Sequence, residues 1–239
     1  FHAMNLWKWC ALFMRKGNIR MNEERILLEF INVTGTSKKT YCLHDISFAL
    51  PTGFIGGIAG ENGAGKTTLF DYIMNPNKQY AGSILLNGKE VHDDYVSIRQ
   101  QIGFVSEKNR FFMEKSAREN AKLAACLFDA WDYDLFEKAM KEMGVASGKK
   151  LSKLSRGEYM KFQTAYAMAH HPVLYLLDEV TAGMDPVFRM DYFKLLQKLM
   201  EDEQTSVLMI SHIREEMERK MDYIGMMEEG RLISWKESV

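Results

Sequence analysis

The sequence predicts an α/β fold built on a mostly parallel sheet with helices on both faces. Two short, almost wholly apolar runs, residues 173–177 and 206–210, are typical of central parallel strands. A third apolar run, residues 53–59, ends in a glycine-rich loop that leads into a helical pattern. The chain has 239 residues, of which 46% are apolar, so it can supply the core of one α/β domain that carries an insertion.

Residues 1–25 are predicted to be an N-terminal extension of one domain, residues 26–239. The apolar, basic-ended stretch at residues 6–16 fits a short helix lying on a partner or on a membrane surface. Its apolar spacing is irregular, however, which favours a helix packed on its own domain or a mobile terminus. Residues 1–3 precede Met4 and are left out of the functional interpretation.

Antiparallel strands are predicted ahead of the glycine-rich loop. Residues 25–33 and 41–50 have the composition of two strands joined by a polar turn. After the loop helix, residues 81–91 carry Asn87-Gly88 between apolar runs, which is a strong hairpin signal. Residues 101–106 form a further short buried strand. These segments predict an N-terminal antiparallel β subdomain beside the parallel sheet.

Helical patterns follow the strand at residues 101–106. They cover residues 116–127, 133–143 and 159–169. We therefore expect an inserted helical subdomain at about residues 107–157.

The overall composition excludes several classes of protein. With 31 basic and 32 acidic residues the net charge is −1, so nucleic acid is not expected as the main ligand. Cys10, Cys42 and Cys126 are distant and odd in number, which fits a reducing compartment rather than a disulfide framework. No run is long enough to cross a bilayer and the start lacks a signal-peptide plan, so any membrane role is expected to need a separate subunit.

The glycine-rich loop matches G-x-x-x-x-G-K-[ST], the phosphate-binding loop, and predicts a P-loop NTPase core. Its glycines allow successive N–H groups to turn toward an anion, and the following helix N-terminus favours negative charge. Lys66 is predicted to reach the β- and γ-phosphates, and the Thr67 hydroxyl to ligate Mg²⁺. The loop consists of Gly60, Glu61, Asn62, Gly63, Ala64, Gly65, Lys66, Thr67 and Thr68.

Polar residues at the ends of two apolar runs predict the rest of the chemistry. Asp178 is the expected Mg²⁺ partner of the loop, usually through water, and Glu179 is placed to act as a general base on attacking water. His212 is a candidate γ-phosphate contact and polariser. The alternatives are a solvated turn for Asp178-Glu179 and a structural role for His212.

Five motifs in chain order resemble the ATP-binding subunit of ABC transporters, over about residues 26–233. Besides the loop, residues 174–179 resemble the family's second nucleotide motif, residues 182–186 its dimer-contact loop, and Ser211-His212 its switch histidine. The segment Leu154, Ser155, Arg156, Gly157 and Glu158 resembles the family signature Leu-Ser-Gly-Gly-Gln, with Arg156 and Glu158 as departures.

The resemblance implies an ATPase that uses ATP and Mg²⁺. Two such domains would meet head to tail around two ATP molecules, with Ser155 and the Gly157 N–H contacting the γ-phosphate held by the other copy's Lys66, and Asp185 at the dimer contact. The implied partners are a transmembrane permease subunit and a second ATP-binding domain. The implied location is the cytoplasmic, inner face of the cell membrane, held there by the permease.

This sequence departs from the family pattern at three positions, and the roles of the residues there have alternatives. The family's glutamine that senses Mg²⁺ falls on Glu107, which can still ligate Mg²⁺ but adds a negative charge near the phosphates. The adenine-stacking aromatic has Tyr41 as its nearest candidate, and an ordinary strand residue is the alternative. Arg156 either pairs with phosphate or faces solvent.

These features predict an ATPase motor that drives a separate membrane subunit, with an exporter-type assembly favoured because the chain ends soon after residue 233. The alternative is a soluble ABC-type regulatory or repair ATPase. A P-loop kinase or GTPase is a third possibility that the segment at residues 154–158 does not support. Residues 109–113 are either a docking patch for the membrane subunit or a locally packed loop.

Overall fold

The computed structural model describes residues 25–35, 43–107, 111–213, 217 and 220–238. The described strands form a four-stranded sheet and a six-stranded sheet. The predicted α/β class is confirmed.

The strands are β1 (Ile26–Gly35), β2 (Ile46–Pro51), β3 (Ile55–Ala59), β4 (Tyr80–Leu86), β5 (Lys89–Glu90), β6 (Ile102–Ser106), β7 (Leu174–Asp178), β8 (Ser206–Ser211), β9 (Tyr223–Glu228) and β10 (Arg231–Glu237). The smaller sheet has the order β2-β1-β4-β5, and the larger sheet has the order β10-β9-β3-β8-β7-β6. The α-helices are α1 (Lys66–Met74), α2 (Tyr95–Gln100), α3 (Ala117–Ala124), α4 (Tyr133–Glu142), α5 (Arg156–Met168) and α6 (Pro186–Leu199), and two 3₁₀ turns lie at Ala125–Leu127 and Leu151–Lys153.

The smaller sheet is antiparallel throughout, as its hairpin signals predict. The β4–β5 turn has positive φ at both Asn87 (51°) and Gly88 (75°), the backbone that an Asn-Gly hairpin turn requires. Strand β2 begins later than predicted because Asp45 takes a left-handed φ of 52°. Its backbone N–H donates to Thr34 Oγ1 at 3.0 Å and its carboxylate accepts from Asn32 Nδ2 at 2.9 Å, so these side chains hold the turn that precedes the strand.

The larger sheet carries the candidate site. Strands β3, β6, β7, β8 and β9 run parallel, and β10 closes one edge antiparallel to β9. Strands β3, β7 and β8 are buried along their whole length, as expected for apolar runs covered on both faces. Because parallel strands end at one edge of a sheet, the segments that follow β3, β6, β7 and β8 come together there.

The part of the chain between β6 and α5 is mainly helical and packs against α5. Phe111 lies against the rings of Phe162 and Tyr166, with centroid distances of 4.9 and 4.8 Å. Met113 also packs on this core, whereas the side chain of Phe112 is 63% exposed. Of the predicted docking patch, residues 109–110 lie outside the described residues, and Phe111 and Met113 follow the locally packed alternative.

Within the described ranges, none of the helices has both the length and the apolar character needed to span a membrane. The N-terminal stretch at residues 6–16 lies outside the described residues.

Candidate functional site

The glycine-rich loop lies between β3 and α1, as the sequence predicts. Gly63 and Gly65 have φ values of 88° and 100°, which favour glycine. A Cβ added at Gly60 would collide with the carbonyl oxygen of Met227, because β9 passes directly behind the loop. The Gly230 N–H donates to the Ala64 carbonyl at 2.9 Å and fastens the loop from the same side. The result is a backbone cradle at a helix N-terminus, which suits a phosphate group.

Lys66 is buried beneath this cradle, with 5% of its surface exposed. Its Nζ donates to the carbonyl oxygens of Gly60 at 2.7 Å and Glu61 at 2.8 Å, and it lies 3.7 Å from Glu179 Oε1. Burial lowers the pKa of Lys66, and the carboxylates of Glu179 and Asp178 act in the opposite direction. The ammonium group is therefore held at the loop by carbonyl and carboxylate oxygens.

Thr67 and Asp178 place two oxygen donors side by side. The Thr67 hydroxyl donates to Asp178 Oδ1 at 3.1 Å, and Asp178, at the end of β7, is 6% exposed. Among the described residues, no group of three or more His, Cys, Asp or Glu side chains is arranged to hold a metal ion. At nucleotide sites Mg²⁺ binds through one or two protein oxygens, water and the phosphates. The hydroxyl and carboxylate therefore fit Mg²⁺.

Glu179 lies between Lys66 and His212 at the mouth of the site. Its φ is 53°, and its N–H donates to the Ile210 carbonyl of β8 at 3.0 Å. The ring Nδ1 of His212 donates to Glu179 Oε2 at 2.8 Å. The Glu179 side chain is 20% exposed, so water can reach a carboxylate whose orientation the imidazole fixes. This arrangement suits a general base with an orienting partner.

Glu107 and Arg156, the two departures nearest the phosphates in the family pattern, form an ion pair with each other. Glu107 directly follows β6, and Arg156 is the first residue of α5. The guanidinium also lies over Gly183, where an added Cβ would be 2.7 Å from Nη1. The two predictions for Arg156 were a phosphate partner and a solvent-facing side chain. The structure instead gives it a carboxylate partner in its own chain.

These side chains, apart from that of Asp178, line one open cleft with a volume of about 540 Å³. Its lining comes from the glycine-rich loop, three strand ends and the start of α5. The residues are Asn62, Gly63, Gly65, Lys66, Thr67, Thr68, Glu107, Arg156, Glu179, Ala182, Gly183 and His212.

The other signature residues do not line this cleft. Ser155 is the N-cap of α5 and accepts from the Glu158 N–H at 3.2 Å, while Glu158 Oε2 accepts from the Ser155 N–H at 2.7 Å. Glu158 also pairs with Lys149 at 3.0 Å. Because glutamate and glutamine both complete such a capping box, the departure at Glu158 preserves the local structure. A Cβ added at Gly157 would be 2.9 Å from the ring of Phe188, so this glycine permits close packing.

The capping box makes a testable prediction about stability. Glu158→Ala is expected to lower the free energy of unfolding by about 1 kcal/mol, because it removes the acceptor for the Ser155 N–H, whereas Glu158→Gln retains that acceptor. The Ser155 N–H and then Lys149 lower the pKa of Glu158 from its ordinary 4.5. The charged form therefore stabilises the fold above pH 4.5 and loses this effect as the pH falls through the lower folded-state pKa. Denaturant unfolding at neutral and acidic pH measures both effects, and equal stability of the two variants at pH 7 would contradict the assignment.

The remaining predicted residues lie at the edge of the site or outside it. Asp185 is exposed and caps α6 by accepting from the Phe188 N–H at 2.9 Å. Tyr41 lies outside the described residues, so adenine stacking stays a prediction. Sequence reasoning missed Gly183 as a cleft residue and Met227 as the backing of the loop. Gly183 belongs to residues 182–186, whose sequence resembles the family's dimer-contact loop. No pattern in the sequence indicates that Met227 lies behind the phosphate-binding loop.

A family model described as ABC transporter matches residues 43–182, which is more than half of the chain. The chain belongs to the ABC transporter family. As the resemblance implied, it is an ATP-binding subunit of that family, and ATP-binding domains of this kind are ATPases.

Three bacterial relatives of the chain are named as ATP-binding proteins of transporters. The bacitracin transport ATP-binding protein BcrA of Enterococcus faecalis is 29% identical over 209 residues, covering 87% of this chain and 68% of the relative. BcrA of Bacillus licheniformis is 30% identical, covering 76% and 60%. The ABC transporter ATP-binding protein YtrB of Bacillus subtilis is 30% identical, covering 80% and 65%. The chain thus spans about two thirds or less of the length of these relatives.

Solved structures show the same fold. An ATP-binding subunit of an ABC transporter superposes with a TM-score of 0.78 at 23% identity, covering 88% of this chain and 90% of that one. The protein cbiO1 from Clostridium perfringens, part of the ABC transporter complex cbiONQ, superposes with a TM-score of 0.76 at 24% identity, covering 90% of each chain.

Proposed function

We propose that two copies of this ATP-binding subunit close head to tail around two Mg²⁺-ATP, and that the cycle of closure and hydrolysis drives a membrane-spanning partner. The observation that carries the proposal is that two sets of contacting side chains meet at one sheet edge. Thr67 contacts Asp178 in one set, and Glu179 contacts both Lys66 and His212 in the other.

Each of these side chains has a role that its position supports. The cradle binds the phosphate chain, and Lys66 exchanges the loop carbonyls for the β- and γ-phosphate oxygens. Thr67 and Asp178 would hold Mg²⁺, whereas the Glu107 carboxylate at the cleft wall is paired with Arg156. When bound there, Mg²⁺ would supply positive charge that offsets the negative charge developing on the phosphates.

Hydrolysis needs a base beside the γ-phosphate. Glu179 accepts the proton of the attacking water, which replaces the ADP leaving group at phosphorus. His212 holds the Glu179 carboxylate through Nδ1, and in the imidazolium form its Nε2–H can also donate to the γ-phosphate. Because the imidazole fixes the base, the water is activated in one orientation.

The signature segment supports a second copy. Ser155 is exposed at the start of α5 yet does not line its own subunit's cleft. A helix N-terminus that faces outward can offer N–H groups to a phosphate held by another copy. Beside Asp185, Val187 and Met190 are 63% and 50% exposed on α6, and a dimer contact would cover both apolar side chains.

The second copy can be tested at α6. Met190→Glu is expected to weaken ATP-dependent dimerisation by about tenfold or more, because closure would bury a charge in the contact. Binding of ATP to the monomer should stay unchanged, because Met190 does not line the cleft. Light scattering of the Glu179→Gln form with and without Met190→Glu measures the effect.

Val96→Glu is the matched control for this experiment, since Val96 is also apolar, helical and 70% exposed but belongs to α2. The proposed contact at α6 is wrong if Met190→Glu dimerises as well as the control does.

The membrane partner is proposed to dock on the helical subdomain at about residues 107–157. Phe112, Leu123 and Leu127 on this segment are 63%, 47% and 68% exposed. Together they offer apolar surface to a partner and would hold the subunit at the cytoplasmic face of the cell membrane. The exporter-type assembly stays a prediction, since relatives named for bacitracin transport and for methionine import match at similar identities of 29% and 27%.

A further inference from the structure

Glu107 and Arg156 lie far apart in the sequence, and each departs from the family pattern, yet their charged groups are in contact. Both side chains are 44% exposed, so the pair lies at the wall of the cleft rather than in the core. The guanidinium rests on the backbone at Gly183, within the segment that joins β7 to α6. Arg156 therefore connects the start of α5, the end of β6 and the loop after Glu179.

The charge on each member of the pair would be unfavourable at its position if the other member were absent. Glu107 lines the same cleft as Lys66 and Thr68, where its negative charge would repel the phosphates of ATP. Arg156 occupies the first turn of α5, where the helix dipole disfavours a positive charge. The neighbouring capping residue Glu158 is engaged by Lys149, so Glu107 is the carboxylate that neutralises Arg156.

We propose that Glu107 and Arg156 act as one charge-compensated pair within a single subunit. Arg156 is a positioning residue in this pair. It neutralises Glu107, so that the cleft accepts the negatively charged nucleotide, and it holds the N-terminus of the signature helix against the catalytic strand ends. The inference rests on the proposed ATP site and extends it to a residue that the family pattern assigns to the other copy's nucleotide.

A double-mutant cycle on nucleotide affinity tests the pair. The four proteins are wild type, Glu107→Gln, Arg156→Gln and the double variant. The probe is a non-hydrolysable ATP analogue with Mg²⁺, titrated against protein dilute enough to be monomeric by light scattering. Arg156→Gln leaves an uncompensated carboxylate beside the phosphates, and we expect its Kd to rise about fivefold.

The double variant distinguishes compensation from other roles. Removal of both charges is expected to return Kd to within about twofold of wild type, because the repulsive carboxylate has also gone. An arginine that bound phosphate directly, or merely supported the fold, would not be rescued by Glu107→Gln. A double variant as weak as Arg156→Gln, or an Arg156→Gln protein with unchanged affinity, would overturn the proposal.

Two further variants complete the experiment. Arg118→Gln removes the same charge from an arginine that pairs with Glu137 on the helical segment away from the cleft, and its Kd should match wild type. Lys66→Ala must lose affinity if the nucleotide binds in the cleft. Retained affinity in Lys66→Ala would refute the ATP site itself, whereas a lack of rescue in the double variant refutes only the pair.

Discussion

Glu179→Gln is expected to reduce steady-state ATP hydrolysis by about 10²- to 10⁴-fold, the contribution of a general base. The amide keeps the shape of the side chain and can accept the His212 hydrogen bond, but it cannot take a proton from water. The substitution also removes a negative charge 3.7 Å from Lys66, so ATP affinity should not fall. Phosphate release, measured beside equilibrium ATP binding, separates the two effects.

The same variant should accumulate as an ATP-dependent dimer, because bound ATP is no longer consumed. Light scattering with Mg²⁺-ATP detects this change in mass, and ADP should not produce it. Glu201→Gln removes an exposed carboxylate outside the cleft and serves as the control. Hydrolysis at the wild-type rate by Glu179→Gln would show that another group activates the water.

Lys66→Ala is expected to raise the Kd for ATP by about 10- to 100-fold, which corresponds to the loss of charge-assisted hydrogen bonds of roughly 1.5–3 kcal/mol. In the structure Nζ is held by the Gly60 and Glu61 carbonyls, so it is already positioned at the loop. Isothermal titration with a non-hydrolysable analogue measures the change.

Lys194→Ala is the control for that titration, since Lys194 lies on exposed α6 surface and pairs only locally with Asp191 at 3.2 Å. An unchanged Kd in Lys66→Ala would remove the lysine from the proposed site.

Much of the fold follows from patterns that are local in sequence. Apolar runs at β3, β7 and β8 predict buried parallel strands because full burial leaves no polar face to display. Once these strands are parallel, the glycine-rich loop, Asp178-Glu179 and His212 must end at one edge, so their proximity could also be predicted. The Asn87-Gly88 turn could also be predicted, because such a hairpin turn needs positive φ at both positions and these two residue types readily adopt it.

The features that escaped prediction depend on contacts between distant segments. The pairing of Glu107 with Arg156 requires the end of β6 and the start of α5 to meet, which no spacing rule specifies. The late start of β2 depends on side chains from β1 that hold Asp45 in a turn. The close approach of Met227 to Gly60 likewise depends on sheet order, because β9 pairs with β3 although it lies far along the chain.

The left-handed backbone at Glu179 allows the adjacent residues Asp178 and Glu179 to take different roles in the same site. In a continuing strand, consecutive side chains point to opposite faces, so two adjacent carboxylates could not serve one pocket. The φ of 53° at Glu179 interrupts that alternation, and Asp178 reaches Thr67 while Glu179 reaches Lys66 and His212. In the proposed mechanism, one peptide unit thereby separates a metal ligand from a proton acceptor. Such a backbone conformation costs about 1–3 kcal/mol in a residue other than glycine. Glycine would adopt it without this strain, but glycine has no carboxylate to accept a proton. The glutamate at position 179 therefore lowers the stability of the fold while it supplies the proposed base.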